Sequence, residues 1–74
     1  RPTRLLKTPT RLEYPIRQRE PPGALVGPER LVTGWWDSEP IARDYWVIAD
    51  RWGRRSWVFR DLSSSQWFLH GHFD

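Results

Sequence analysis

Four short stretches of the chain are rich in apolar residues that alternate imperfectly with polar ones, and each stretch is bounded by turn-forming residues. β-Branched and aromatic residues dominate these stretches, as is typical of strands. The pattern predicts strands at Arg30–Trp36, Ala42–Asp50, Ser56–Arg60 and Gln66–His70. Short turns at regular spacing predict an all-β fold, either a small antiparallel meander or a partly closed barrel.

The segment Asp50-Arg51-Trp52-Gly53 is predicted to be a hairpin loop, with Gly53 at a positive φ. In such a hairpin the pairs Arg43-Asp44 and Arg60-Asp61 lie across from each other. This arrangement favours a cross-strand charge network. The alternative is that Arg43 is presented to a binding partner, since arginine is enriched at interfaces.

Apolar residues occupy both faces of the predicted strands. In Ser56–Arg60, Trp57 and Phe59 share one face and Val58 lies on the other. A sheet with two apolar faces needs cover on both. The N-terminal arm, closure into a small barrel or a partner protein could supply it, and a mixture of the first two is favoured. The core is expected to contain the mid-strand tryptophans Trp46, Trp57 and Trp67.

The N-terminal third differs from the rest in proline content and charge. Six of the seven prolines lie in residues 1–28, which excludes a long helix. Two short extended pieces are predicted, at Thr3–Leu6 and Arg11–Ile16. Residues 1–34 carry a net charge of +4 and residues 35–74 a net charge of −1. We therefore expect a basic, proline-rich arm (residues 1–26) followed by a tryptophan-rich antiparallel β domain (residues 27–74).

The chain has 74 residues and no cysteine, so neither disulfides nor a cysteine-ligated metal can stabilise it. Six Trp, two Tyr and three Phe supply the apolar area instead. There is no signal peptide or transmembrane run, which favours a cytoplasmic protein. A start without methionine indicates a domain of a longer protein.

No constellation of residues predicts catalysis, a metal, a cofactor or a small-molecule substrate. His70 and His72 would share a face of a regular strand, but two ligands do not complete a structural site. Ser63, Ser64 and Ser65 lack a nucleophile-elbow motif and are typical of a turn. The sequence therefore predicts a binding module rather than an enzyme.

Trp52 has no evident core to fill, because it lies in a loop between arginines. Such a tryptophan is favoured as an interface anchor, with a base-stacking platform and incidental packing as the alternatives. One ring of the Trp35-Trp36 pair is expected at a surface. The predicted partner-binding residues are Trp52, Arg54, Arg51, Trp35 and Arg43.

The basic arm admits two interpretations. Its dispersed charges favour a solvated linker, and the alternative is a tether to the phosphates of single-stranded DNA. In that alternative function, the nucleic-acid-binding residues are Arg1, Arg4, Lys7 and Arg11.

Several motifs occur together in a characteristic order. They are Gly27-Pro28-Glu29-Arg30, Gly34-Trp35-Trp36-Asp37, Ala42-Arg43-Asp44-Tyr45, Gly53-Arg54-Arg55, Trp57-Val58-Phe59-Arg60 and Trp67-Phe68-Leu69-His70-Gly71. In order and spacing they resemble the C-terminal end of ImuB, the polymerase-like accessory protein of bacterial mutasomes. The resemblance covers Gly27–Phe73 and, more loosely, Arg1–Leu6. His72 departs from it, since related sequences more often have an apolar residue there.

The resemblance implies a part in translesion synthesis within the SOS response to DNA damage. ImuB proteins are catalytically inactive adaptors that link the sliding clamp, the RecA-like protein ImuA and an error-prone polymerase. Their C-terminal region is associated with protein–protein contacts, so the implied partner is ImuA or the polymerase. A cytoplasmic, nucleoid-associated location is implied as well. The polymerase-like body and the clamp-binding motif are not in this sequence, so no role in DNA synthesis is implied.

Overall fold

Five antiparallel strands form one open sheet in the computed structural model, which describes residues 4–15, 17–34, 36 and 38–73. The strands are β1 (Arg4–Leu12), β2 (Ala24–Val32), β3 (Ala42–Ala49), β4 (Arg55–Asp61) and β5 (Trp67–His72). Their order across the sheet is β1-β5-β4-β3-β2, and no helix occurs within the described residues. The all-β prediction is confirmed. Strands β2 to β5 form the predicted meander, and the sheet does not close into a barrel.

Strand β1 is one nine-residue strand in place of the two predicted pieces, and it ends at Leu12, so residues 13–15 of the second piece lie outside it. It runs through Pro9 and pairs with β5 along the sheet edge, with a register shift between Leu5 and Thr10. Proline lacks the N–H that a regular ladder needs, and it is tolerated at edge strands and irregularities such as this one. Pro9 therefore does not divide the strand. Two terminal residues of the predicted pieces lie outside the described residues: Thr3, which begins the first piece, and Ile16, which ends the second.

Strand β2 lies earlier in the chain than predicted. It spans Ala24–Val32 rather than Arg30–Trp36, and its pairing with β3 shifts register twice, between Ala24 and Val26 and between Val26 and Glu29. Gly27 and Pro28 fall in the second shift. Glycine and proline are typical of loops, which placed the predicted start of the strand after them. An irregular edge strand, however, accommodates both residues. Both predicted bounds of this strand were therefore wrong, since it also ends at Val32 rather than Trp36.

The β3–β4 hairpin has the predicted register. Arg43 lies opposite Asp61, and Asp44 lies opposite Arg60. Arg30 of β2 lies outside the expected pairs, and it donates two hydrogen bonds to the buried Asp44 carboxylate, at 2.8 and 3.0 Å. The hydrogen bond from Arg30 lowers the pKa of Asp44. This bidentate pair fixes β2 against β3.

The main core cluster lies on one side of the sheet, here called the core face, whereas Tyr45 and Phe59, at 5 % and 2 % exposure, are buried on the other side. Trp46, Val58 and Trp67 form its centre and are at most 5 % exposed. The two indole rings pack at 4.9 Å, and Tyr14 meets Trp67 edge-on at 5.7 Å. Partly buried residues complete this layer: Leu12, Tyr14, Ala24, Ile48 and Leu69. Residues from the end of β1 and from the β1–β2 connection therefore cover the core face.

Trp57 was expected in this core and is not part of it. It lies opposite Val47 in the β3–β4 ladder, one position away from the pair formed by Trp46 and Val58. Because successive residues of a strand point to opposite faces, Trp57 projects from the other side of the sheet. It is only partly buried there.

Gly27 should be far less tolerant of substitution than Gly53. Both have a positive φ, of 134° and 78° respectively, but a Cβ on Gly27 would lie 2.6 Å from the Trp46 ring, whereas a Cβ on Gly53 would meet nothing within 4 Å. We expect Gly27→Ala to lower the free energy of unfolding by about 3 kcal/mol, from backbone strain plus overpacking. The matched control Gly53→Ala should cost about 1 kcal/mol. Denaturant titration measures both, and equal losses would contradict the close approach of Gly27 to Trp46.

Candidate functional site

The side of the sheet opposite the core is covered by stacked aromatic rings and is called the aromatic face. Tyr45 and Trp57 stack with ring centroids 4.1 Å apart, and His70 lies nearly parallel to Trp57 at 5.2 Å. Phe59 and Phe68 stack at 5.2 Å. These residues come from β3, β4 and β5, whose register places them side by side. Stacked rings of this kind form a stiff, largely apolar surface.

A chain of polar contacts crosses this face. The Arg43 guanidinium donates to the Tyr45 hydroxyl at 3.1 Å, and the same hydroxyl lies 3.0 Å from His70 Nδ1. Arg43 also lies over the Phe59 ring, 4.2 Å from its centroid. Burial lowers the pKa of His70, and the nearby charge of Arg43 lowers it further. Arg43 is therefore held in a fixed position on the aromatic face.

A groove of about 410 Å³ opens on the aromatic face. Its floor contains Tyr45, Trp57 and His70, and residues of both edge strands reach it, Leu5 from β1 and Leu31 from β2. The sheet must therefore curl around this side for its two edges to border one space. The remaining lining residues are Glu29, Arg30, Ile41 and Arg43. Apolar and aromatic groups thus form the floor and sides, with charged groups among them.

Strand β2 borders the groove and forms one edge of the sheet, with β3 as its single neighbour. Four of its apolar side chains are exposed, between 44 % and 66 %: Leu25, Val26, Leu31 and Val32. An edge strand presents backbone N–H and C=O groups that another strand can pair with. The edge and the groove are continuous, because Leu31 belongs to both.

The loop between β3 and β4, residues 50–54, is called the hairpin tip. The Asp50 carboxylate accepts hydrogen bonds from the backbone N–H groups of Trp52 and Arg54, each at 2.9 Å. Gly53 has the predicted positive φ. Trp52 is 71 % exposed, and the Arg51 and Arg54 guanidinium carbons lie 5.3 and 5.7 Å from its ring centroid. An ordered loop therefore presents an exposed ring flanked by two cations.

A second concavity lies beside the hairpin tip and is called the cationic cleft. Its volume is about 430 Å³, and it is lined by Arg4, Arg54, Arg55, His72 and Phe73. The cleft forms because the first residue of β1 pairs with the last residue of β5, and β5 pairs in turn with the start of β4. Residues far apart in the sequence thereby place three arginines around one space.

The structure separates the residues that the sequence grouped as partner-binding. Arg51, Trp52 and Arg54 lie together at the hairpin tip, whereas Arg43 lies in the groove on the aromatic face. Trp35 lies outside the described residues. Of the predicted nucleic-acid residues, Arg4, Lys7 and Arg11 are exposed along β1, and Arg1 lies outside the described residues.

Sequence reasoning missed the groove itself. Its floor residues Tyr45 and Trp57 were assigned to strands but not to a site, and its rim residues Leu5 and Leu31 belong to distant segments. One signal was available, since Trp57 and Phe59 share a face opposite Val58. That alternation indicated a second apolar surface on the sheet.

His70 and His72 do not share a face, contrary to the expectation for a regular strand. β5 has a register shift near His70, because Gly71 and Leu69 pair with the adjacent residues Trp57 and Val58. His70 stacks on the aromatic face, whereas His72 approaches the Ser56 hydroxyl at 3.3 Å. Within the described ranges, no three His, Cys, Asp or Glu residues are grouped as metal ligands would be.

Comparison with known proteins found no match among family models, curated proteins or solved structures. In the part of the chain that the structure describes, no helix is long and apolar enough to span a lipid bilayer. Proposals about function therefore depend on the groove, the β2 edge, the hairpin tip and the cationic cleft.

The stability of the domain should fall as the pH is lowered through about 6.5, the ordinary pKa of histidine. Because burial lowers the pKa of His70 in the folded state, the unfolded chain takes up the proton first. The contribution of neutral His70 is then present above pH 6.5 and lost as the pH falls toward the folded-state pKa.

Chemical denaturation at intervals between pH 5 and 7.5 measures this dependence. His70→Phe keeps an aromatic ring on Trp57 but cannot titrate, so its stability should vary less over this window. His72→Phe is the control and should retain the dependence. If His70→Phe showed the same slope as the native domain, the assignment to His70 would be wrong.

Proposed function

We propose that this domain is a non-catalytic protein-binding module that takes up an extended segment of its partner along β2 and the groove. In keeping with the resemblance to ImuB, the parent protein is a bacterial translesion-synthesis adaptor and the partner is ImuA, with the error-prone polymerase second. The observation that carries the proposal is the continuity of the apolar groove with the edge of the sheet.

The chemistry of the groove supports a partner with apolar side chains. Tyr45, Trp57 and Ile41 line it, and exposed leucines border it on both sides. Filling such a space with a buried leucine- or phenylalanine-sized side chain contributes roughly 1.5–3 kcal/mol. Binding sites generally combine an apolar lining with a few fixed polar groups. Arg43 is such a group, because contacts with Tyr45 and Phe59 hold it in place.

The edge of β2 favours a partner segment in an extended conformation. A strand added there would gain backbone hydrogen bonds, and alternate side chains would point toward the aromatic face. Leu31 lies opposite Arg43 in the β2–β3 ladder, so both side chains are on that face. A partner strand beside Leu31 would therefore place every second side chain over the groove.

The groove should be the part of this surface that determines affinity. Leu31→Ser removes an apolar rim residue that is already 44 % exposed, so the fold should tolerate it. We expect binding to weaken about tenfold, which corresponds to about 1.4 kcal/mol. Isothermal titration calorimetry of the domain with purified ImuA, and then with the polymerase, measures the change.

Val32→Ser is the matched control, since Val32 follows on the same strand and is more exposed but points to the opposite face. It should weaken binding less than Leu31→Ser. Equal losses would assign the affinity to the strand edge in general rather than to the groove. Unchanged affinity for Leu31→Ser, or no binding to either protein, would overturn the proposal.

A further inference from the structure

We infer that the hairpin tip, the cationic cleft and strand β1 together form a binding surface for single-stranded nucleic acid. The residues that line the cleft do not line the groove, which β1 borders through Leu5, and the inference does not depend on the protein-binding function proposed above. Its ligand class is a chain of phosphates with unpaired bases.

The cleft supplies the first part of the charge. Three arginines and His72 line it, with Phe73 as the one apolar member. The Arg54 side chain is 77 % exposed, and its Nε lies 3.7 Å from an Asp50 carboxylate oxygen, a long contact that leaves most of the guanidinium in solvent. Arginine is well suited to phosphate because its planar donors match phosphate oxygens.

Strand β1 extends this charge away from the cleft. Arg4 lines the cleft, and Lys7 and Arg11 follow it along the same edge strand, with no acidic residue in Arg4–Leu12. All three are exposed. Nine residues of strand span on the order of 30 Å, so the cations form a track along the edge of the sheet rather than a single point, with Arg4 beside His72 on one face and Arg11 beside Phe68 on the other. A track of this length suits a polyanion better than one carboxylate or one free phosphate.

Trp52 supplies a surface on which the bases of the ligand can stack. Its ring is exposed, and the hydrogen bonds of Asp50 fix the loop that carries it. An exposed ring beside arginines is the arrangement on which unpaired bases stack. Arg54 belongs to both parts, since it lies over the Trp52 ring and lines the cleft. A base on Trp52 would therefore have its phosphate next to the cleft.

This combination favours single strands over two other polyanions. Bases in a duplex are stacked on one another and cannot lie on Trp52 without being extruded. An acidic protein segment would satisfy the cations but would not use the ring for base stacking. The test therefore compares a single strand, a duplex and polyglutamate.

The experiment is fluorescence anisotropy of a labelled twelve-nucleotide oligothymidylate titrated with the 74-residue chain at several salt concentrations. Affinity should fall steeply with salt, and Arg55→Gln should reduce the log–log slope by about 0.7 for the one phosphate contact it removes. Arg19→Gln removes the same charge at an exposed position of the β1–β2 connection, and it should leave the slope unchanged.

The role of Trp52 is tested separately with a matched pair of variants. Trp52→Ala should weaken binding of the oligonucleotide on the order of tenfold. Trp36 is equally exposed, at 73 %, but lies in the β2–β3 connection at the other end of β3. Trp36→Ala should therefore bind the oligonucleotide as the native domain does.

Several results would overturn the inference. They are no binding at low salt, equal affinity for the duplex, equal affinity for polyglutamate, and a Trp52→Ala variant that binds as tightly as the native domain. Leu31→Ser separates the two proposals. It should leave the affinity for the oligonucleotide unchanged while it weakens binding of the protein partner. Either function can then fail without the other.

Discussion

The structure depends on the alternation of large apolar residues between the two faces of one sheet. Trp46, Val58 and Trp67 point to one side, and Tyr45, Trp57 and Phe59 to the other. A chain of 74 residues has little material left to cover two faces once the sheet is made. Leu12 and Tyr14 pack on the tryptophans of the core face, whereas on the aromatic face Tyr45 and Phe59 are buried by neighbouring rings. The sheet curls toward the aromatic face, where the groove forms.

The same constraint explains why the first strand is placed beside the last. Tyr14 can reach Trp67 because Leu12 is paired directly with Trp67. That pairing brings Arg4 to His72 at the other end of β1, which forms the cationic cleft. Cover for the core and clustering of charge at the opposite end of the sheet are thus two results of the pairing of β1 with β5, on either side of the register shift.

The predictability of the fold from the sequence varied with how local each feature is. Strands β3 and β4 and the positive φ of Gly53 could be predicted, because the alternation and the turn residues of that hairpin lie within about twenty residues. Strands β1 and β2 could not be placed correctly. Each contains a proline at a register shift, which appears as a break in the sequence but is tolerated in an edge strand.

The candidate sites also differ in how far they could be predicted from the sequence. The Arg51, Trp52 and Arg54 cluster could be predicted because it is contiguous, whereas the groove joins Leu5, Leu31 and Trp57 from three segments. Its existence requires the curl of the sheet, which no local pattern encodes.

The groove and the proposed nucleic-acid surface lie on different parts of the domain. An adaptor with this arrangement could bind two partners at once. The groove is bordered by Leu31 and Ile41 near the β2–β3 connection, whereas Trp52 and Arg54 lie beyond the opposite end of β3. A protein segment along β2 would leave the cations of β1 accessible, because β1 and β2 are the two opposite edges of the sheet. Leu5 is the exception, since it borders the groove from β1 itself, one residue from Arg4. Occupancy of the groove can therefore influence the track through the position of β1, which makes this edge strand the physical link between the two proposed functions.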